Sequence, residues 1–200
     1  NRFTSKGLFT TLTNVNFDPQ RFEKYIKHCS AFIERMKNKL EAAGSSAHFS
    51  DPAAGFNPAA DLDGLIRQGE EVGLATDRDA AEDIQSLQQV TLYGLKGVAA
   101  YAYHAAILGQ EDDRVYAFMH EALSALADRN LSLDDWIKLV LKCGEINLLA
   151  MELLDKANTG AYGHPVPTEV PLGHKKGKCI LVSGHDLKDL EEILKQTDGK

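Results

Sequence analysis

The residues best placed to do chemistry sit in one short turn, Ser183-Gly184-His185-Asp186. An apolar run, Cys179-Ile180-Leu181-Val182, leads into it. Leu187, Leu190, Ile193 and Leu194 follow at helical spacing. In open α/β sheets ligands sit beyond the carboxyl ends of the strands, and that is where such a turn would place His185. An imidazole there can ligate a metal or exchange a proton near neutral pH. On spacing alone, a turn histidine that only hydrogen-bonds nearby backbone is the stronger reading. A second constellation, Asn158-Thr159-Gly160-Ala161-Tyr162-Gly163-His164-Pro165, could shape a pocket wall or a crossing between domains. A rigid interdomain loop is its plainer reading.

No self-contained catalytic motif accompanies these two. The chain has no Cys-x-x-Cys, which rules out a zinc or iron–sulfur site built on that motif. It has no Glu-x-x-His, the signature of di-iron carboxylate bundles, and no His-Glu-x-x-His. Glycine-rich phosphate loops and the nucleophile elbow are also missing. His28, His48, His104, His120 and His174 lack partners at metal-ligand spacing and read as surface or helix-packing residues. Tyr93, Tyr101 and Tyr103, beside a Gly/Ala-rich face, read as core. Asp112-Asp113 and Glu191-Glu192 read as helix-start and solvated charges. Cys29, Cys143 and Cys179 are odd in number and far apart, so buried reduced thiols in a reducing cytosol are expected rather than a disulfide framework.

The elements that must position the turn are mostly helical. A short helix is expected around Gly7–Val15. Asp18-Pro19 opens a longer one, with the aspartate as cap and the proline at the first position, and it runs to Gly44. Residues 44–60 read as a loop and Asp61–Leu74 as a weaker helix. Asp77 or Asp79 should cap a long helix to Leu108, with Ile84, Leu87, Val90, Leu95, Val98, Tyr101, Ala105 and Leu108 on one face. Its small residues, Gly94 and Gly97 among them, invite close approach by another helix. Further helices are expected over 112–128 and from Ser132 to Lys156. Asn158–Gly177 is rich in Pro and Gly and should not be regular helix. Residues 179–182 predict a short buried strand, and Asp186 caps a last helix.

A net charge of −7 argues against non-specific nucleic-acid binding. No apolar run reaches the roughly 18–20 residues of a membrane span. The amino end has no apolar signal region and no initiator Met, so processing or excision from a longer chain is expected.

Four blocks carry a family resemblance. They are Phe9-Thr-Thr-Leu-Thr-Asn-Val-Asn-Phe-Asp18, Leu92-Tyr-Gly-Leu-Lys-Gly-Val-Ala-Ala-Tyr101, Asn158-Thr-Gly-Ala-Tyr-Gly-His-Pro165 and Lys178-Cys-Ile-Leu-Val-Ser-Gly-His-Asp-Leu-Lys-Asp-Leu190. In this order they resemble the hybrid-cluster protein (prismane) family, the hydroxylamine reductases. Carbon monoxide dehydrogenases, distant relatives in fold, match the blocks less well. The resemblance implies a mostly α chain: two three-helix-bundle-like units, then the first strand-turn-helix of an α/β domain. The change of composition along the chain divides it into a helical domain over 1–157, a linker over 158–177 and the start of an α/β domain over 178–200.

The resemblance also implies a longer parent with a cysteine-ligated iron–sulfur cluster and a hybrid iron–sulfur–oxygen cluster. His185 would be the histidine ligand of the hybrid cluster. Cys29, Cys143 and Cys179 match no ligand position of the family. The implied chemistry is reduction of hydroxylamine to ammonia and water, or of nitric oxide to nitrous oxide, with electrons from a redox donor. With His185 as its sole ligand, this chain alone is expected to hold no cluster and to have no reductase activity. The competing expectation is a stand-alone helical interaction domain without redox chemistry.

Overall fold

The computed structural model describes residues 1–12, 17–46, 49, 51–72, 79–184 and 186–199. Among the described residues seven helices are present: α1 (Arg2–Thr10), α2 (Pro19–Ala42), α3 (Leu62–Val72), α4 (Glu82–Ile107), α5 (Asp113–Ala127), α6 (Leu133–Tyr162) and α7 (Leu187–Thr197). Most begin where local chemistry starts a helix. The side chains of Asp18, Asp112 and Asp186 each accept from a first-turn backbone N–H, and Ser132 with Asp135 forms a reciprocal capping box. α4 differs. Its cap is Ala81 without a side-chain bond, so Asp79 is not the cap, and Asp77 lies outside the described residues. Glu82 and Asp83 in its first turn face the positive end of the helix dipole instead.

The core lies between α4, α5 and α6. On α4 the covered positions are Gln88, Thr91, Leu95, Val98, Ala102 and Ala105, alternating by three and four residues. On α6 Trp136, Cys143, Ala150 and Ala157 are buried, and Leu139, Ile146 and Leu153 between them pack partly against the same core. Both helices thus present the narrow seam of coiled-coil-like packing. Gln88 and Trp136 line one cleft, and further along Gly94 faces Cys143, so α4 and α6 run in parallel. α5 returns between them and contributes Val115, Phe118, Met119 and Ala122. This register moves part of the expected α4 face outward. Val90 is 53% exposed and Tyr101 38%, and Tyr93 also faces out, so Tyr93 and Tyr101 are not core. The seam follows the small residues, because they let the axes come close.

α1 packs across α4 and α5. Ser5 is buried with its hydroxyl 3.6 Å from Met119 Sδ, and Arg2 Nε donates to Glu111 Oε1 at 2.9 Å. Tyr116 also donates to Glu111 Oε1, at 2.6 Å. Arg2 and Tyr116 together hold the Glu111 carboxyl at about 2, far below the usual carboxylate range. Phe3 stacks on Tyr25 of α2 and meets Phe32 at 4.7 Å between ring centroids. α2 itself has no buried residue. These distant contacts explain why α1 starts well before the expected Gly7; its expected end, Val15, lies outside the described residues.

Two further expectations are corrected. α6 continues through Asn158–Tyr162 into the segment expected to be irregular, because Ala157 is still buried and carries the seam onward. Residues 179–182 form no strand: Ile180 is 68% exposed and Leu181 92%. Among the described residues nothing offers them a ladder, and a single strand cannot satisfy its backbone alone. Cys143 is buried as expected, whereas Cys29 and Cys179 are exposed.

A Cβ added at Gly94 would lie 2.8 Å from Cys143 Sγ. Gly94→Ala is therefore expected to destabilise the protein by about 1–3 kcal/mol despite alanine's better helix propensity. Cys143→Ala in the same chain should recover part of the loss. Urea unfolding of the two single variants and the double variant checks this; a Gly94→Ala protein as stable as the parent would contradict the close contact.

Candidate functional site

The chain returns to the helical core at the start of α7, around the turn singled out in the sequence. His185 lies outside the described residues, but the residues on both sides of it are placed. Gly184 has φ +115°, a conformation that side chains disfavour, and a Cβ there would meet nothing within 4 Å. The glycine therefore serves the backbone's path, not a tight approach to a neighbour.

Asp186 anchors the other side. Its Oδ1 accepts from the backbone N–H of Lys188 at 3.0 Å and of Asp189 at 3.3 Å, capping α7. Its Oδ2 lies 3.3 Å from Nδ1 of His104, an ion pair whenever that imidazole is protonated. His104 sits in the last turn of α4, where the helix dipole favours positive charge. Phe9 of α1 packs edge-on against the His104 ring, with centroids 5.2 Å apart. Both carboxylate oxygens of Asp186 are engaged, which makes it an anchor for the turn.

A second tie joins α7 to α6. Tyr162, in the last turn of α6, donates to Glu191 Oε2 at 3.0 Å, and Lys188 Nζ reaches the same oxygen at 3.0 Å. Lys195, Lys188 and Tyr162 draw the Glu191 carboxyl down to about 2. The expected solvated pair Glu191-Glu192 is thus an ion-pair network with Lys188 and Lys195. The docking is polar: α7 has no buried residue, and Leu194 is 61% exposed. The C-terminal ends of α4 and α6 form a platform, and Asp186 and Glu191, on the C-terminal side of position 185, are drawn to it.

The second constellation divides. Tyr162 serves this platform, while His164 and Pro165 are exposed. Of the remaining histidines, His28 stacks on Phe32 and His120 contacts Asn1 Oδ1 at 3.0 Å. His174 is exposed, and His48 lies outside the described residues. Among the described residues no three His, Cys, Asp or Glu side chains come together to hold a metal ion. They therefore do not by themselves build a cradle for an iron–sulfur cluster. Clefts of about 250 and 370 Å³ lie at the far end of the bundle, near Trp136 and Lys142. Among the described residues no helix is long and apolar enough to cross a membrane.

Sequence reasoning missed His104. Its partner comes from a distant part of the chain, and no local motif marks it. Asp186→Ala removes the cap and the His104 contact together, at a cost of about 1 kcal/mol or more for the cap. His104→Ala removes only the contact. Amide exchange over 187–197 is expected to speed up in both, more in Asp186→Ala, while α6 is unchanged. Equal protection of α7 in parent and variants would overturn the anchoring role.

Comparison with known proteins bears on what such a platform serves. The sequence profile of the Prismane/CO dehydrogenase family matches residues 1–200. A hydroxylamine reductase of Syntrophobacter fumaroxidans is 61% identical over 200 residues, which is all of this chain and 37% of that protein. One of Methanocella arvoryzae is 60% identical over 199 residues, 99% of this chain and 37% of its own length. One of Thermodesulfovibrio yellowstonii is 53% identical over 201 residues, covering all of this chain and 36% of its own length. The chain thus spans little more than a third of the curated relatives it matches. A profile match over its whole length, with this identity, shows that the chain belongs to the Prismane/CO dehydrogenase family.

Proposed function

We propose that the chain is the helical part of a longer hydroxylamine reductase and that its His185 is a ligand of that enzyme's hybrid iron–sulfur–oxygen cluster. The observation that carries this reading is identity of 61% over the entire chain to a protein described as a hydroxylamine reductase. The reaction takes two electrons and two protons to cleave the N–O bond of hydroxylamine, giving ammonia and water. Reduction of nitric oxide to nitrous oxide is the second chemistry the same cluster would serve. A bound cluster supplies a site for the small nitrogen substrate and the electrons, which come from a separate redox donor.

This chain's own residues would contribute placement. An imidazole on a tethered turn loses less freedom on ligation than one on a free loop. Asp186 on His104, and Glu191 on Tyr162, provide that tether. Such outer contacts orient a ligand without touching the metal. In this reading residues 1–157 form the helical domain, 158–177 the connection and 178–200 the entry to an α/β domain. Residues 179–182 would become a strand when a sheet partner is present, which their apolar character and exposure suit. A reducing cytoplasm is the compartment the reading calls for, because cluster-ligating thiolates must stay unpaired.

The test is His185→Ala in the longer enzyme. The EPR signal of the hybrid cluster is expected to be lost or altered, while that of the cysteine-ligated cluster stays. An unchanged hybrid-cluster signal would remove His185 from the ligand set.

A further inference from the structure

α6 carries two apolar faces, and only one of them is covered. The seam through Trp136, Cys143, Ala150 and Ala157 packs on α4 and α5. On nearly the opposite side Ile137, Leu141, Gly144, Leu148 and Met151 repeat at four- and three-residue intervals. Leu141 is 66% exposed, Leu148 67% and Met151 46%. A Cβ at Gly144 would meet nothing within 4 Å, so the middle of this row is open. The remaining polar sector, with Asp134, Lys138, Lys142, Glu145, Glu152 and Lys156, is narrow. A helix apolar over most of its circumference belongs inside a larger body. An uncovered apolar row of this length is what an interaction surface looks like.

We infer that the outer row of α6, from Ile137 to Met151, is a docking face for the part of the longer polypeptide that lies outside this chain. Two observations select that occupant. Well over half of each relative's length lies outside the matched segment, so ample chain is available to cover the face. The connection after α6 also leaves apolar side chains open, with Leu172 and Leu181 almost fully exposed, so the outer row of α6 is not the sole apolar surface awaiting cover. The glycine in the middle of the row would let a packed element approach closely. The inference shares the longer polypeptide with the function proposed above but needs no cluster.

The experiment introduces Leu141→Cys and Leu148→Cys separately into the longer polypeptide, with Lys138→Cys as a control on the polar sector. Maleimide labelling at each position is followed by peptide mass mapping. Labelling at 141 and 148 is expected to be at least tenfold slower than at 138, and to match it in urea. Equal rates in the native protein would overturn the inference. Slow labelling that becomes fast on dilution from dimer to monomer would assign the face to a second copy and overturn it as well. The unsubstituted protein gives an independent reading: oxidation of Met151 should be suppressed at least tenfold relative to the unfolded chain, and ready oxidation would contradict the docking. Neither readout depends on bound iron, so failure of the cluster assignment and failure of this inference are separable.

Discussion

The close approach of α4 to α6 at Gly94 and Cys143 is the constraint on which the rest of the structure depends. A Cβ at position 94 would lie 2.8 Å from Cys143 Sγ, so the thiol or the helices would have to shift. Because they meet there and run in parallel, their C-terminal ends finish side by side. That arrangement puts His104 and Tyr162 on one end of the bundle. It also leaves the opposite end, with the cleft near Trp136, remote from α7. Burial pushes the Cys143 thiol pKa up, which suits a residue that fills space between helices.

The platform so formed ties α7 by polar contacts, Asp186 to His104 and Glu191 to Tyr162. Asp186 serves two masters, the first turn of α7 and the imidazole of His104. Exposed ion pairs contribute little stability one by one. Their value here is directional, because two ties at different points fix how α7 leaves the turn. The proposed ligand would sit between a glycine with a left-handed backbone and an anchored aspartate. Its position would then follow from the helical bundle. The exposed apolar row on α6 and the unpaired run at 179–182 suit a bundle that is one layer of a larger body.

Much of this was legible in the sequence where the determinants are local. Asp18-Pro19, Asp112, Ser132 with Asp135, and Asp186 each announce a helix start by side chains that satisfy free N–H groups nearby. Gly94 marked a close helix approach before its partner was known. What stayed hidden depends on distant residues. The start of α1 is set by Glu111, Met119 and Tyr25, and the extension of α6 past Lys156 by burial of Ala157. On α4 large apolar residues such as Val90 and Tyr101 outweigh the alanines in the sequence pattern, whereas the packing favours the alanines. The run at 179–182 reads as a strand because its composition is that of one, yet a strand needs a neighbour that the described residues do not supply. The candidate ligand was found by its place in a turn and by the resemblance of its flanks; its anchor, His104, had no such signal.

In the proposed enzyme the tethered turn would deliver the imidazole of His185 to iron. Diffraction from crystals of the longer enzyme, recorded at the iron absorption edge, tests it most directly. An anomalous iron peak is expected within bonding distance of a ring nitrogen of His185, with Asp186 still paired to His104. A His185 ring turned away from every iron peak would contradict it.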